Sequence, residues 1–234
     1  MISLTTKERK WALLFLLPFY FFYGQFLFSF LFIALAWIFG FNISKSSIDA
    51  YFNLIYLVFL AFVSLYIFKP YLTKSLQAMK GRWMKQLLYA CTIGTLKFYV
   101  FNIVSSLFIL LLVPNSSSAN QDAIAGMTTT APMVMAITTV VLAPFVEEMI
   151  FRVGLFQLFY TKNRKLAYLV SSLAFGFVHI VGGLSSGDLS QIFYLLPYGL
   201  LGYVLCDIYE SRQSIFVPMI VHSLNNLIAM LVLL

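Results

Sequence analysis

From Trp11 to Ser44 the chain runs for 34 residues without one Asp, Glu, Lys or Arg. About 20 apolar residues in a helix already cross the roughly 30 Å hydrocarbon core of a bilayer, so this run can span a membrane by itself. It is longer than the core of a secretory signal and has no small-residue cleavage site, which predicts a retained membrane helix. Six more apolar stretches follow, and together they predict spans near 11–39, 49–68, 86–113, 131–160, 166–183, 190–208 and 215–234. A backbone in lipid must satisfy its own hydrogen bonds, so the expected fold is an all-α, polytopic bundle of about seven membrane helices. Composition agrees: 10% of residues are charged, against roughly 25% in a soluble domain, and the mean hydropathy is +0.93. No predicted loop exceeds about 20 residues, too few for a soluble domain. The chain therefore reads as one membrane domain over 1–234, with N-terminal helices over 11–113 and a core over 131–234.

The loops alternate in charge. Lys7, Arg9 and Lys10 face only Glu8 at the N-terminus; Lys45 and Asp49 share the next loop; Lys69, Lys74, Lys80, Arg82 and Lys85 form an acid-free third. Asp122 is alone in the fourth, Lys162, Arg164 and Lys165 crowd the fifth, Asp188 is alone in the sixth, and Asp207, Glu210 and Arg212 close the series. The positive-inside rule puts the N-terminus in the cytoplasm and the C-terminus outside. The net charge of +7 is thus a matter of topology and of attraction to anionic headgroups, and nucleic acid is not an expected partner. Cys91 and Cys206 read as free buried thiols near the cytoplasmic ends of helices. The stretch 69–86 reads either as a basic surface helix or as a solvated loop. Asn115-Ser-Ser-Ser-Ala-Asn reads as an outer loop of turn formers. Lys97 falls inside the third span, where it is expected to snorkel to the interface.

One segment breaks the apolar pattern: Ala143-Pro-Phe-Val-Glu147-Glu148-Met-Ile-Phe-Arg152. Ionisable side chains within a span are costly unless they pair or face a wet cavity. On a helix, Glu148 and Arg152 are i,i+4 and share a face, while Glu147 is turned about 100° away. Glu148–Arg152 therefore reads as a structural pair and Glu147 as the carboxylate left for chemistry. A purely structural intramembrane ion pair is the competing reading. Pro144 removes a backbone donor and is expected to free the carbonyl of Val140, loosening the helix beside the acids. The two histidines, His179 and His222, both fall inside spans. His222 and Asn226 share a face, with Asn225 turned away.

Counted from the predicted cytoplasmic ends at 1.5 Å per residue, Glu147, His179, Asn226 and His222 lie at depths of roughly 20, 20, 16 and 10 Å. Acid, imidazole and amide from three helices thus approach one level. A glutamate beside a histidine can orient a water and take its proton, and a histidine with an asparagine can donate to the oxyanion of a tetrahedral intermediate. Glu147, His179 and His222 are alternatively three metal ligands with a fourth position for water. There is no HExxH, and the spacing decides neither way.

With EExxxR on one span (Glu147, Glu148, Arg152), FxxxH on the next (Phe175, His179) and a later HxxxN (His222, Asn226), the chain resembles the CAAX proteases and bacteriocin-processing enzymes, the CPBP or Abi family, over about residues 140–226. The resemblance implies an intramembrane, glutamate-dependent endopeptidase. Glu147 and His179 would activate water, His222 and Asn226 would bind the oxyanion, and Arg152 would hold the site through Glu148, with Phe175 in support. The expected substrate is a peptide or membrane-anchored protein cut near the cytoplasmic leaflet of the cell membrane. The alternatives are a non-catalytic bacteriocin immunity or interaction protein, and a proton-relay transporter, for which no inverted repeat is visible. Family members are commonly labelled metalloproteases, so the cofactor is either none or zinc. Because His222 lies about two turns shallower than His179, roughly 9 Å along the bilayer normal, a metal-free site is favoured.

Overall fold

The computed structural model describes residues 1–40, 45–114 and 116–234, the side chains of 45–47 excepted. The side chain of Lys45 in the second loop, and Asn115 of the turn-former stretch, lie outside what is described. Seven helices are long and apolar enough to cross a membrane: α1 (Thr6–Phe39), α2 (Ile48–Ile67), α4 (Trp83–Leu112), α6 (Pro132–Tyr160), α7 (Arg164–Ser185), α8 (Leu189–Arg212) and α9 (Phe216–Leu233). Two shorter helices, α3 (Lys69–Ala78) and α5 (Ala119–Thr130), sit in connections. The chain is a polytopic helical membrane bundle, as its hydropathy requires.

The helix starts are written locally. Thr5 and Glu8 form a reciprocal capping box at α1, Asn163 accepts from the N–H of Leu166 at α7, and Pro132 opens α6, where its missing N–H costs nothing. Gly40 ends α1 at φ +64°, a left-handed conformation that glycine adopts freely. α8 is the most enclosed span and α1 the least. Helices α7 and α8 cross at glycines. A Cβ on Gly202 would lie 3.1 Å from Ser172 Cα, and one on Gly176 would lie 3.0 Å from the Gly199 nitrogen. Ser171 of α7 donates to the carbonyl of Phe151 in α6 at 2.8 Å, which ties the three core helices together.

The stretch 69–86 contains a true helix, α3, whose Tyr71, Leu72 and Ser75 are buried; it is not a solvated loop. The N–H of Tyr71 donates to Glu8 Oε1 at 2.8 Å, and its hydroxyl meets that of Tyr209 at 2.9 Å. Gln157 joins the same network, accepting from the N–H of Leu4 and donating to Tyr209. Burial pushes the Tyr71 phenol up to about 12. The connection before α6 also holds a helix that the turn-former reading missed: Ser118 caps α5 through the N–H of Gln121.

Two charge assignments change. Asp207, Glu210 and Arg212 belong to α8 and not to a loop, because that helix runs on to Arg212. Lys97 meets Asp207 at 2.5 Å: a partner on α8 replaces the expected snorkelling. Cys91 and Cys206 are free thiols, the first exposed and the second buried.

Candidate active site

The site begins with a break in the regularity of α6. Residues Thr138–Leu142 and Met149–Phe156 are π-helical, with a short α segment, Ala143–Glu148, between them. Such insertions recur at functional sites. They also relocate the carbonyl that Pro144 orphans. In i→i+5 register the acceptor five residues before Pro144 is Thr139, and in α register it would be Val140. The Thr139 carbonyl is the one that takes an outside donor: Asn226 Nδ2 on α9 reaches it at 2.8 Å. Asn225, turned away by simple helix geometry, donates its own amide to Asn226 Oδ1 at 3.0 Å and so fixes the Asn226 orientation.

Glu148 and Arg152 are both fully buried, with Arg152 Nε 3.1 Å from Glu148 Oε2. Neither of those two atoms makes a directed hydrogen bond, so the contact is a close ion pair and little more. Other contacts complete it. Arg152 Nη2 donates to the Gly202 carbonyl at 3.4 Å, and the guanidinium lies 4.9 Å from the centroid of the Phe175 ring, within cation–π range. The same ring lies 4.6 Å from His179 and 5.8 Å from His222. Phe175 thus touches the arginine and both imidazoles.

The histidines are oriented through their Nδ1 atoms. His179 Nδ1 is 2.7 Å from the Phe175 carbonyl, and His222 Nδ1 is 3.1 Å from Glu148 Oε1. A carbonyl and a carboxylate only accept, so each Nδ1 carries a proton. In a neutral ring each Nε2 is then a bare lone pair. Both Nε2 atoms turn toward Glu147: that of His179 is 4.0 Å from Glu147 Oε2, and that of His222 is 3.8 Å away. Glu147 Oε2 has no hydrogen-bond partner of its own, and its side chain is 15% exposed where Glu148 has no exposure. Gaps of this size between polar atoms are too long for a direct bond and suit a bridging water.

The convergence overturns the depth estimate. His222 approaches Glu147 as closely as His179 does, whereas a 9 Å offset was expected. The estimate counted backbone rise alone, and the carboxylate and imidazole side chains reach across the interval between their helices. Depth therefore does not argue against a metal. The donor arrangement can be tested directly. Donors bound to tetrahedral zinc at about 2.0–2.1 Å lie roughly 3.3 Å from one another, and the separations here are wider. Among the described residues no group of three His, Cys, Asp or Glu side chains is arranged as a metal cage.

Tyr198 on α8 was not legible as a site residue. Its ring stacks on His179 at 4.6 Å and 23°, and its hydroxyl bonds Ser118 Oγ, the α5 cap, at 2.7 Å. Nothing in its local pattern separates it from the other 13 of the 14 tyrosines.

The pattern of acids, imidazoles and amide has known counterparts. Residues 129–228 match the family model described as type II CAAX prenyl endopeptidase Rce1-like. Over these residues the chain is similar to that family. The match contains Glu147, Glu148, Arg152, Phe175, His179, His222 and Asn226. Relatives include the UPF0177 protein YvdC of Lactococcus lactis subsp. lactis (strain IL1403), 25% identical over 140 residues that make up 60% of this chain and 51% of that protein. The "Putative membrane peptidase YdiL" of Bacillus subtilis (strain 168) is 29% identical over 134 residues, 57% of this chain and 46% of that one. The UPF0177 protein YxdF of the same Lactococcus strain is 36% identical over 87 residues, 37% of this chain and 43% of its own length. The chain spans about half the length of the curated relatives it matches. No solved structure matches it.

Proposed function

We propose that this chain is an intramembrane endopeptidase that cuts a peptide or membrane-anchored protein through a water activated by Glu147. The observation that carries the reading is the unpartnered Glu147 Oε2, faced by two imidazole Nε2 atoms at 3.8 and 4.0 Å.

In this mechanism a water sits between Glu147 and His179 Nε2. Glu147 removes one of its protons while the oxygen attacks the scissile carbonyl carbon. The carbonyl π pair moves onto oxygen, which becomes an oxyanion. His222, protonated on both nitrogens with Nδ1 held by Glu148, donates Nε2–H to that oxyanion. Asn226 keeps a second amide N–H, because only one is needed by Thr139, and that hydrogen is the second donor. On collapse the C–N bond breaks, the leaving amine takes the proton stored on Glu147, and a carboxylic acid and an amine leave. Arg152 does not touch the reacting atoms. It holds Glu148, which holds His222.

The test is a comparison of membrane-protein termini between cells expressing the wild type and Glu147→Gln at equal levels. Proteolysis predicts new N-termini that are present with the wild type and absent with the variant. Identical termini, with a cellular phenotype that persists in both, would favour the immunity or interaction reading.

A further inference from the structure

On the outer face of α7 and α8, away from Glu147, a groove of about 840 Å³ runs between the two helices. One wall is the α7 stripe Tyr168, Leu169 and Leu173; the other is the α8 stripe Leu196, Gly199 and Tyr203. Leu169, Leu173, Leu196 and Tyr203 are exposed apolar or aromatic side chains, and they belong to helices that cross the membrane. Gly199 leaves the floor open. A Cβ built there meets nothing closer than the Ser172 carbonyl oxygen at 3.8 Å, although its neighbours Gly176 and Gly202 are crowded.

The two ends of the groove differ. Arg164 and Lys165 line one end; the other, at Ile192 and Phe193, is apolar. The Arg164 charge is matched by Glu210, to which it makes two bonds of 2.6 and 2.7 Å. Lys165 is exposed and, among the described residues, carries no ion pair. Beside it, Lys162 is also exposed. The basic end therefore keeps two uncompensated positive charges: Lys162, Arg164 and Lys165 give three, less one for Glu210. Arg164 at the basic end reaches Glu210, 18 residues along α8 from Ile192 at the apolar end, so the groove runs about 27 Å at 1.5 Å each, most of the roughly 30 Å hydrocarbon core. Tyr168 and Tyr203, with ring centroids 5.1 Å apart, mark the basic end as aromatic residues mark a headgroup boundary.

We infer that this groove is a binding site for one anionic phospholipid, whose acyl chain lies between α7 and α8 and whose phosphate is held at Lys165 and Lys162. Polarity and charge match that occupant. The apolar groove takes an acyl chain along the half nearest its basic end, and unpaired lysines at the aromatic-marked mouth take a negative headgroup. A zwitterionic lipid would gain nothing from the unpaired charge.

The purified full chain, in mild detergent with added dioleoyl phosphatidylglycerol or dioleoyl phosphatidylcholine, is examined by native mass spectrometry. The wild type is expected to retain one phosphatidylglycerol in preference to phosphatidylcholine. Lys165→Gln is expected to weaken that retention about fivefold, the effect of one basic side chain at an anionic surface. Gly199→Leu fills the floor, where a Cβ meets the Ser172 carbonyl oxygen at an ordinary 3.8 Å; with its folding checked by thermal unfolding, it should abolish retention of either lipid. Lys85→Gln, a basic residue elsewhere, should leave retention unchanged. Equal retention of the two lipids by the wild type, or unchanged retention in both Lys165→Gln and Gly199→Leu, would overturn the assignment. So would retention of farnesol with no preference for phosphatidylglycerol, which would give the groove to a lipidated polypeptide.

Discussion

Glu148 Oε1 lies 3.1 Å from His222 Nδ1, while its other oxygen lies 3.1 Å from Arg152 Nε. One buried carboxylate therefore neutralises a guanidinium and orients an imidazole. Removing it does two kinds of damage. Glu148→Ala leaves Arg152 charged and uncompensated where it has no exposure, and breaking such a pair costs about 3–5 kcal/mol. Thermal unfolding in detergent should show a large fall in Tm. The double variant Glu148→Gln with Arg152→Met should recover most of the lost stability, because no charge is stranded, yet it should stay poorly active, because a neutral amide no longer favours a charged His222.

Glu147→Gln should behave in the opposite way. Its Oε2 has no partner to lose, so Tm should change by no more than the equivalent of about 0.5 kcal/mol. Cleavage should fall by at least about 10²-fold, the range supplied by a general base. Measuring unfolding and cleavage on the same preparations checks both halves. An active Glu147→Gln, with an inactive but normally folded Glu148→Ala, would reverse the two roles.

The seven spans were legible because hydropathy is a property of each segment alone, and the Glu148–Arg152 pair was legible because i,i+4 contacts need only one helix. What lay beyond the sequence depended on a second helix or on irregular geometry. The π register of α6 decided that Thr139 and not Val140 lost its donor, and side-chain reach between helices brought His222 to Glu147 where counting residues had set the two apart. Lys97 and Asp207 each looked explained until α8 was found to continue past Asp207. The Tyr198–His179 stack required knowing how α7 and α8 cross, which the glycines at 176 and 202 set by close approach.

The orientation that loop charge predicts can be tested on exposed positions. Ser75 is buried against the bundle, so a label there would report packing and not sidedness. Lys74 and Ser117 are exposed at opposite ends of the fold and suit the purpose. In a Cys91→Ser background, Ser117→Cys should react with an impermeant maleimide in intact cells, and Lys74→Cys only after permeabilisation. The reverse pattern would put the basic loops outside, against the charge rule.

The metal-free reading makes a prediction of its own. Purified wild-type protein, analysed for metals by mass spectrometry, should carry zinc well below one equivalent, and a strong chelator should leave cleavage intact. Near-stoichiometric zinc, lost together with activity and restored with it, would mean that Glu147, His179 and His222 close by a few tenths of an ångström around the ion and would replace the water-activation scheme.

The Asn226–Thr139 bond separates a scaffolding role from a catalytic one. Asn226→Ala leaves the Thr139 carbonyl without its donor, at a cost of about 1–3 kcal/mol for a buried group, and it also removes a proposed oxyanion donor. Pro144→Ala supplies a backbone N–H five residues beyond Thr139, which lets the helix satisfy that carbonyl internally. In the Pro144→Ala background the stability penalty of Asn226→Ala should therefore shrink to under about 1 kcal/mol, and the coupling should emerge from a double-mutant cycle on unfolding. The loss of activity should not shrink, because a backbone donor to Thr139 does nothing for a substrate oxyanion. Recovery of both stability and cleavage in the double variant would make Asn226 a helix clamp alone, with His222 left as the sole oxyanion donor.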